Sequence, residues 1–62
     1  MKRNDFIKHL KKHNCILMRE GGNHSIFKNL SNQKQSVVGR HRELSNLLCK
    51  KICKQLEIPE IK

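Results

Sequence analysis

The sequence predicts an α+β fold, a single small α-β-β-β-α domain in which a three-stranded antiparallel sheet carries both helices on one face. Three observations predict it. An amphipathic segment of helical spacing stands at each end of the chain, three short apolar segments lie between them, and a glycine-rich turn separates the first two of these. A chain of 62 residues has room for one small core, so one domain is expected over residues 1–62.

The first helix is predicted at residues 4–13, NDFIKHLKKH. Its apolar positions at i, i+1 and i+4 form one stripe, which comprises Phe6, Ile7 and Leu10. Asn4 or Asp5 is expected to cap the first turn, because either side chain can accept hydrogen bonds from the free amides. Asn14 is expected to end the helix in the left-handed conformation.

Three short strands are predicted between the helices, CILMRE at 15–20, SIFKN at 25–29 and SVVG at 36–39. The first two form a hairpin, because the turn between them consists of Gly21, Gly22 and Asn23, residues that reach positive φ at low cost. The polar segment LSNQKQ at 30–35 suits a second tight connection.

The second helix is predicted at residues 45–56, with Ser45 as its cap and Pro59 after its end. Its apolar row has a spacing of four residues and comprises Leu44, Leu48, Ile52 and Leu56, with Leu47 beside it. Packing both helices on one face of the sheet buries both apolar stripes and leaves the other face open to a partner.

The chain is strongly basic, with 14 Lys and Arg against 5 Asp and Glu and a formal net charge of +9. A domain of this size with such a charge is typical of proteins that bind a polyanion, either nucleic acid or an acidic protein. The basic residues are spread along the whole chain, so the charge belongs to a folded surface and not to a disordered tail.

Composition also bears on where the protein acts. No apolar run is long enough for a membrane span, and the N-terminal segment lacks the apolar region of a signal peptide. The three cysteines are an odd number and predict no disulfide framework. We therefore expect a cytoplasmic protein with no membrane partner.

Neither a metal site nor a cofactor is predicted. The five carboxylates are scattered, whereas a two-metal nuclease needs several that converge, and no phosphate-binding glycine loop is present. Cys49 and Cys53 share one helix face, as do His9 and His13, but neither pair has the spacing of a structural zinc site. The cysteines are expected to pack as small hydrophobic residues and the histidines to lie on a solvated helix face.

His24 is the candidate catalytic residue, because it follows the glycine turn at the start of a strand. Imidazole can both accept and donate a proton near neutral pH, and RNA carries its own nucleophile in the 2′-hydroxyl, so a histidine can drive cleavage without a metal. Lys28, Arg40 and His41 are the candidate phosphate contacts, and His41 could also supply the complementary proton, a role that Lys28 or Arg40 could share. From the pattern alone, an exposed polar histidine at a hairpin is the commoner interpretation.

Three features of the chain match a known family. The helical segment NDFIKHLKKHN is followed directly by an apolar strand, Gly22-Asn23-His24 precedes the apolar pair Ile26-Phe27, and VVGRHREL leads into LLCKKICKQLEIP. With these features the chain resembles the HicA-type mRNA interferase toxins of toxin–antitoxin pairs over about residues 3 to 59.

This resemblance implies a double-stranded-RNA-binding-like fold, cleavage of mRNA and neutralisation by a HicB-type antitoxin protein that covers the active surface. It also implies that the histidine of the Gly-x-His motif, His24, is catalytic, with Gly21 and Gly22 forming the turn that presents it to RNA. Two positions depart from the family pattern. Asn23 stands where Ser or Thr is usual, and Gly39 replaces the proline common before the basic histidine segment.

Two other functions are compatible with the same sequence. A non-catalytic RNA-binding module of the same fold would bind RNA and leave it intact. A DNA-binding regulator is disfavoured, because three strand-like segments separate the two helices and no tight helix-turn-helix can form.

Overall fold

The computed structural model of the protein describes residues 1–61, and Lys62, the last residue of the predicted domain, lies outside the described residues. The elements in chain order are α1 (Arg3–Lys12), β1 (Cys15–Gly21), β2 (His24–Asn29), β3 (Gln35–Gly39) and α2 (Asn46–Leu56). The predicted α-β-β-β-α order is confirmed, and each boundary lies within one residue of its predicted position.

The start of α1 differs from the prediction. The residue before the helix is Lys2, which is extended and whose side chain makes no capping hydrogen bond within the described residues. Asn4 and Asp5 lie inside the first turn, so the prediction that either caps the helix was wrong, although Asp5 still suits the positive end of the helix dipole. The expected left-handed stop is confirmed, since Asn14 has a φ of 64°.

The strands form one antiparallel sheet in the order β1-β2-β3. Gly21 pairs with His24, so only Gly22 and Asn23 form the turn and Gly21 belongs to β1. Gly22 alone in this turn has a positive φ, 45°, a value that L-residues with a side chain rarely adopt. A glycine at the first position of a two-residue turn is a feature of the tight hairpins that match the twist of a sheet.

Both helices pack on one face of the sheet, as predicted. The inward residues alternate along β2 and β3, and they comprise Ser25, Phe27, Asn29, Ser36 and Val38. Asn29 Nδ2 donates to the carbonyl of Leu56 at 2.8 Å, and Ser36 Oγ donates to Gln55 Oε1 at 2.8 Å, which ties this face to α2. Phe6 and Leu10 of α1 are fully buried in the same core.

The apolar face of α2 is rotated from the predicted row. Its buried residues are Cys49, Ile52, Cys53 and Leu56, whereas Leu48 is 40% exposed and Leu47 63% exposed. A row spaced by four residues drifts around a helix of 3.6 residues per turn, which puts Leu48 about 90° from the centre of the buried stripe. The predicted Leu48 contact was therefore wrong, while the predicted burial of both cysteines and the Ser45 cap are confirmed.

Candidate active site

The face of the sheet that points away from the helices is uncovered, and we call it the open face. Its side chains alternate with the inward ones, and by strand pairing they comprise Ile16, Arg19, His24, Ile26, Lys28, Gln35 and Val37. Directly paired residues of an antiparallel sheet project to the same face, which fixes this set from the register. The open face therefore combines an apolar centre with basic residues and one histidine.

His24 is the first residue of β2 and stands between two glycines. It pairs with Gly21 on one side and with Gly39 on the other, and its own side chain is exposed. Because neither glycine has a side chain, the imidazole is flanked by bare backbone on both neighbouring strands. A substrate can therefore approach the ring from the Gly21 side, where, apart from the chain neighbours of Gly21, no described residue lies within 4 Å of the position of a Cβ atom.

His41 lies on the same side of Gly39 as His24. A Cβ atom built on Gly39 would lie 3.4 Å from His41 Cδ2, and it would point to the open face because Gly39 pairs with His24. Cβ atoms of directly paired residues are about 5 Å apart, so His41 Cδ2 lies within about 9 Å of the Cβ atom of His24. The fold thus brings together two histidines that are 17 positions apart in the sequence.

Arg40 lies on the other side of this segment. Its Nε is 3.8 Å from Glu20 Oε1, and Glu20 pairs with the buried Ser25, so the guanidinium is directed to the helix side of the sheet. Its backbone amide donates to the carbonyl of Asn23 at 3.2 Å and so joins the hairpin turn to the segment after β3. Arg40 and His41, both predicted to contact phosphate, therefore serve different surfaces.

Lys28 shares the open face with His24 but is four residues further along β2. At the rise of an extended strand this places the two Cα atoms about 13 Å apart. Lys28 is half-buried between its partners Ile16 and Gln35. A phosphate at His24 can contact Lys28 only if the lysine side chain extends along the strand toward it.

Arg19 is a basic residue near His24 that the sequence analysis missed. It pairs with Ile26 across a register shift in β1, which makes it a diagonal neighbour of His24 on the open face. Diagonal Cβ atoms in such a pair are about 7–8 Å apart, within reach of an arginine side chain. Counting the register back from a two-residue turn would have shown this position.

Arg3 was also missed, and it holds the histidine end of the sheet together from the helix side. Its Nε donates to the carbonyl of Gly39 at 3.0 Å and its Nη2 donates to Ser25 Oγ at 2.9 Å. Ser25 Oγ in turn donates to Glu20 Oε1 at 3.2 Å. Arg3 therefore links Ser25, which follows His24 in the chain, to Gly39, which pairs with His24 across the sheet.

The remaining histidines and the cysteines lie away from this site. His9 and His13 are half-buried, and His9 Nε2 lies 2.6 Å from the carbonyl oxygen of Pro59, so the expectation of a solvated histidine face was only partly correct. Burial raises the pKa of the Cys15 thiol in the core. Within residues 1–61, no group of three or more His, Cys, Asp or Glu side chains is arranged to hold a metal ion.

Fold and site together define a small basic α-β-β-β-α protein with an exposed histidine pair at one end of an open sheet. The family described as HicA toxin of bacterial toxin–antitoxin matches residues 3–58, and the chain belongs to this family. The protein is thus a toxin of a toxin–antitoxin system, and an antitoxin partner is implied. Comparisons with curated proteins and with solved structures find no significant match. Neither helix of the described chain is long and apolar enough to cross a membrane.

Proposed function

We propose that the protein is a metal-independent endoribonuclease that cleaves mRNA in the cytoplasm, with His24 as its catalytic residue. The observation that carries this proposal is the placement of His24 on the open face between two glycines, with His41 beside it. Membership in a toxin family supports it, because an RNA-cleaving enzyme can arrest growth without any further component.

In the proposed reaction His24 removes the proton of a ribose 2′-hydroxyl, and the 2′-oxygen attacks the adjacent phosphorus. The O2′–P bond forms while the P–O5′ bond breaks, and the leaving 5′-oxygen takes a proton from His41 or from the protonated His24. The products are a 2′,3′-cyclic phosphate and a 5′-hydroxyl end. Arg19 is placed to stabilise the charge that develops on the phosphate oxygens.

The experiment that tests this proposal measures cleavage of a short RNA in EDTA by the wild type, His24→Ala and His13→Ala. The His13 variant is a matched control, because it removes an imidazole just after α1, on the opposite layer. We expect His24→Ala to lose about 10²–10⁴-fold in rate while its RNA affinity is kept, since general base catalysis contributes that much. The His13 variant should cleave at the wild-type rate.

The substrate itself supplies two further controls. A single 2′-deoxy substitution at the cleaved nucleotide should abolish cleavage there, and DNA of the same sequence should stay intact. The 2′,3′-cyclic phosphate should be detected by mass spectrometry. Cleavage that needs a divalent cation, or that survives His24→Ala, would show the mechanism to be wrong. Tight binding without cleavage would instead identify a non-catalytic RNA-binding module.

We also propose that a HicB-type antitoxin covers the open face. Ile16 and Val37 are 40% and 51% exposed there, and exposed apolar residues beside a functional group are typical of the centre of a protein interface. A partner seated on them would also cover His24. The charge of +9 favours an acidic partner.

The matched variants Val37→Asp and Leu47→Asp test where the antitoxin binds. Both replace an exposed apolar residue by a carboxylate, but Leu47 lies on the outer face of α2, 63% exposed. Val37→Asp should weaken the complex with the protein encoded next to the toxin by at least about tenfold, whereas Leu47→Asp should not, because only the first carboxylate is buried without a partner. The opposite ranking would place the antitoxin on α2.

A further inference from the structure

A second basic surface lies next to the candidate active site, on the helix side of the sheet. It is a cleft of about 590 Å³ between the start of α1 and the segment after β3, and we call it the basic cleft. Its lining comprises Lys2, Arg3, Asn4, Arg40, Arg42 and Glu43. Four of these six side chains are cationic and one is an amide that can donate hydrogen bonds.

The floor of the basic cleft is fixed by backbone hydrogen bonds. The amide of Arg3 donates to the carbonyl of Arg42 at 2.9 Å, and the amide of Leu44 donates to the carbonyl of Met1 at 2.8 Å. Lys2 and Glu43 form an isolated antiparallel bridge between these two bonds. The cationic side chains therefore project from backbone that is already ordered, which lowers the entropic cost of binding a ligand.

The positive charge of the basic cleft is largely unpaired. Among the described residues, no carboxylate lies within 4.0 Å of a side-chain nitrogen of Lys2, Arg3 or Arg42, and Arg40 reaches Glu20 only at 3.8 Å. Glu43 Oε2 forms an ion pair with the amino group of Met1 at 3.5 Å. Several cations held close together without counterions repel one another, and an anionic ligand removes this repulsion.

The position of the basic cleft relates it to the two histidines. Arg40 and Arg42 flank His41 in the chain, so alternate residues of one segment face the cleft and the open face. Arg3, which lines the cleft, also contacts Gly39 and Ser25, the cross-strand partner and the chain neighbour of His24. A strand of RNA with one phosphate at the histidines can therefore pass around the end of the sheet into the cleft.

We infer that the basic cleft is a phosphate-binding subsite for the RNA backbone, next to the phosphate that is cleaved. This inference rests on the proposed function, because it takes RNA as the ligand and the histidines as the point of cleavage. Guanidinium groups bind phosphate oxygens in a bidentate manner, and Lys2 adds a point charge, so the cleft recognises the backbone and not the bases. Its role is to hold the strand in register with His24.

The test compares two double variants that remove equal charge, Lys2→Gln with Arg42→Gln in the cleft, and Lys11→Gln with Lys12→Gln on α1. Both are made in the His24→Ala background, and binding of a short single-stranded RNA is measured as a function of salt. The cleft variant should lose at least about tenfold in affinity at low salt. Its log–log salt dependence should become less steep by about 1.4, the value for two lost phosphate contacts. The α1 variant should show well under half of both effects.

A second measurement uses RNA in which one phosphate at a time is replaced by an uncharged methylphosphonate. Neutralising the phosphate beside the cleavage position should weaken binding to the parent protein by part of the factor that the cleft variant loses, because that variant loses two phosphate contacts. It should have little further effect on that variant, because the two changes remove one interaction. If the double variant does not fold, the single variants Lys2→Gln and Arg42→Gln are measured in the same way.

The outcomes separate this inference from the proposed function. Equal losses for the cleft and α1 variants, together with His24-dependent cleavage by the wild type, would overturn the subsite and leave the nuclease standing. Cleft-specific loss of RNA binding without any cleavage would overturn the nuclease and support the subsite. An unchanged RNA affinity of the cleft variant would overturn the subsite and leave an acidic protein as the ligand of this surface.

Discussion

Gly39 pairs directly with His24 across β2 and β3, and the space that a side chain at Gly39 would occupy is bordered by the ring of His41, with Cδ2 3.4 Å from the position of a Cβ atom. The two histidines are thus separated by the smallest residue available. His24 and His41 can lie close together because Gly39, which lies between them, has no side chain.

Substitution of Gly39 should separate stability from activity. A Cβ at 3.4 Å is tolerable, and φ at Gly39 does not lie in the positive range, so Gly39→Ala should raise the free energy of unfolding by about 0.4–1 kcal/mol through the unfolded chain. Gly39→Val adds two methyl groups where the His41 ring lies and should reduce RNA cleavage by at least about tenfold without loss of stability. Urea unfolding and an RNA cleavage assay check both statements. Full activity of the valine variant would show that His41 does not take part.

The hairpin turn offers a matched pair of glycines. Gly22 has a φ of 45° and Gly21 does not have a positive φ, while neither would bring a new Cβ within 4 Å of another atom. Gly22→Ala should therefore lower the free energy of unfolding by about 1–2 kcal/mol, because a left-handed conformation is unfavourable for an L-residue. Gly21→Ala should lower it much less. Thermal unfolding would show this as a fall in Tm of about 4–8 °C per kcal/mol for a domain of this size. Equal losses of stability in the two variants would mean that the added methyl groups, and not the backbone conformation at Gly22, cause the destabilisation.

The end of α2 depends on two asparagines. The carbonyl of Leu56 accepts from Asn29 Nδ2 at 2.8 Å and from Asn32 Nδ2 at 3.0 Å, and the buried Asn29 also accepts from the amide of Ser31 at 2.9 Å through its Oδ1. Asn29→Ala removes two bonds from a buried site and should cost about 1–3 kcal/mol. Asn32→Ala leaves Leu56 with one donor and should cost about 1 kcal/mol or less. Equilibrium urea unfolding of the two variants should show this order.

The three buried thiols make a prediction about pH. Burial raises the pKa of Cys15, Cys49 and Cys53 above the ordinary value of 9.0, because the thiolate is poorly solvated in the core. The folded state therefore holds these protons more tightly, so the stabilisation is complete below pH 9 and is lost as the pH rises through the folded pKa values. The free energy of unfolding should therefore fall as the pH rises above 9, and Cys15→Ala should show a shallower fall.

The same burial protects the thiols from chemical modification. At pH 8 iodoacetamide should react with the native protein on the order of 100-fold more slowly than with the chain in guanidinium chloride, because only the thiolate is nucleophilic. Mass spectrometry of the alkylated protein gives both rates. Rapid modification of the native protein would contradict the burial of Cys49 and Cys53 on the inner face of α2.

Much of the fold follows from local sequence pattern. Turn residues and short apolar segments are sufficient to predict the three strands, because Gly22 and Asn14 take the backbone conformations that their residue types favour. The face of α2 could not be predicted from its leucines. Cysteine packs as well as a small aliphatic residue, and tertiary packing decided between Leu48 and Cys49.

The candidate site was only partly predictable for a related reason. His24 stands in a local motif, but Arg3 and Arg19 reach its surroundings through strand register and through a helix start far away in the chain. Arg40 and His41 are adjacent in sequence and were expected to act together. They lie on opposite sides in the segment that follows the end of β3 at Gly39, and their adjacency in the sequence does not show this.

The two-residue turn also explains why the spacing of the Gly-x-His motif matters: it sets the register that places His24 on the open face. Side chains in a strand alternate between faces with every residue, so adding or removing one residue in the turn would shift the register by one position. His24 would then point into the helix layer, and Ser25 would take its place in solvent. The length of this turn therefore determines that the imidazole lies on the outside of the protein, whatever residue occupies position 23.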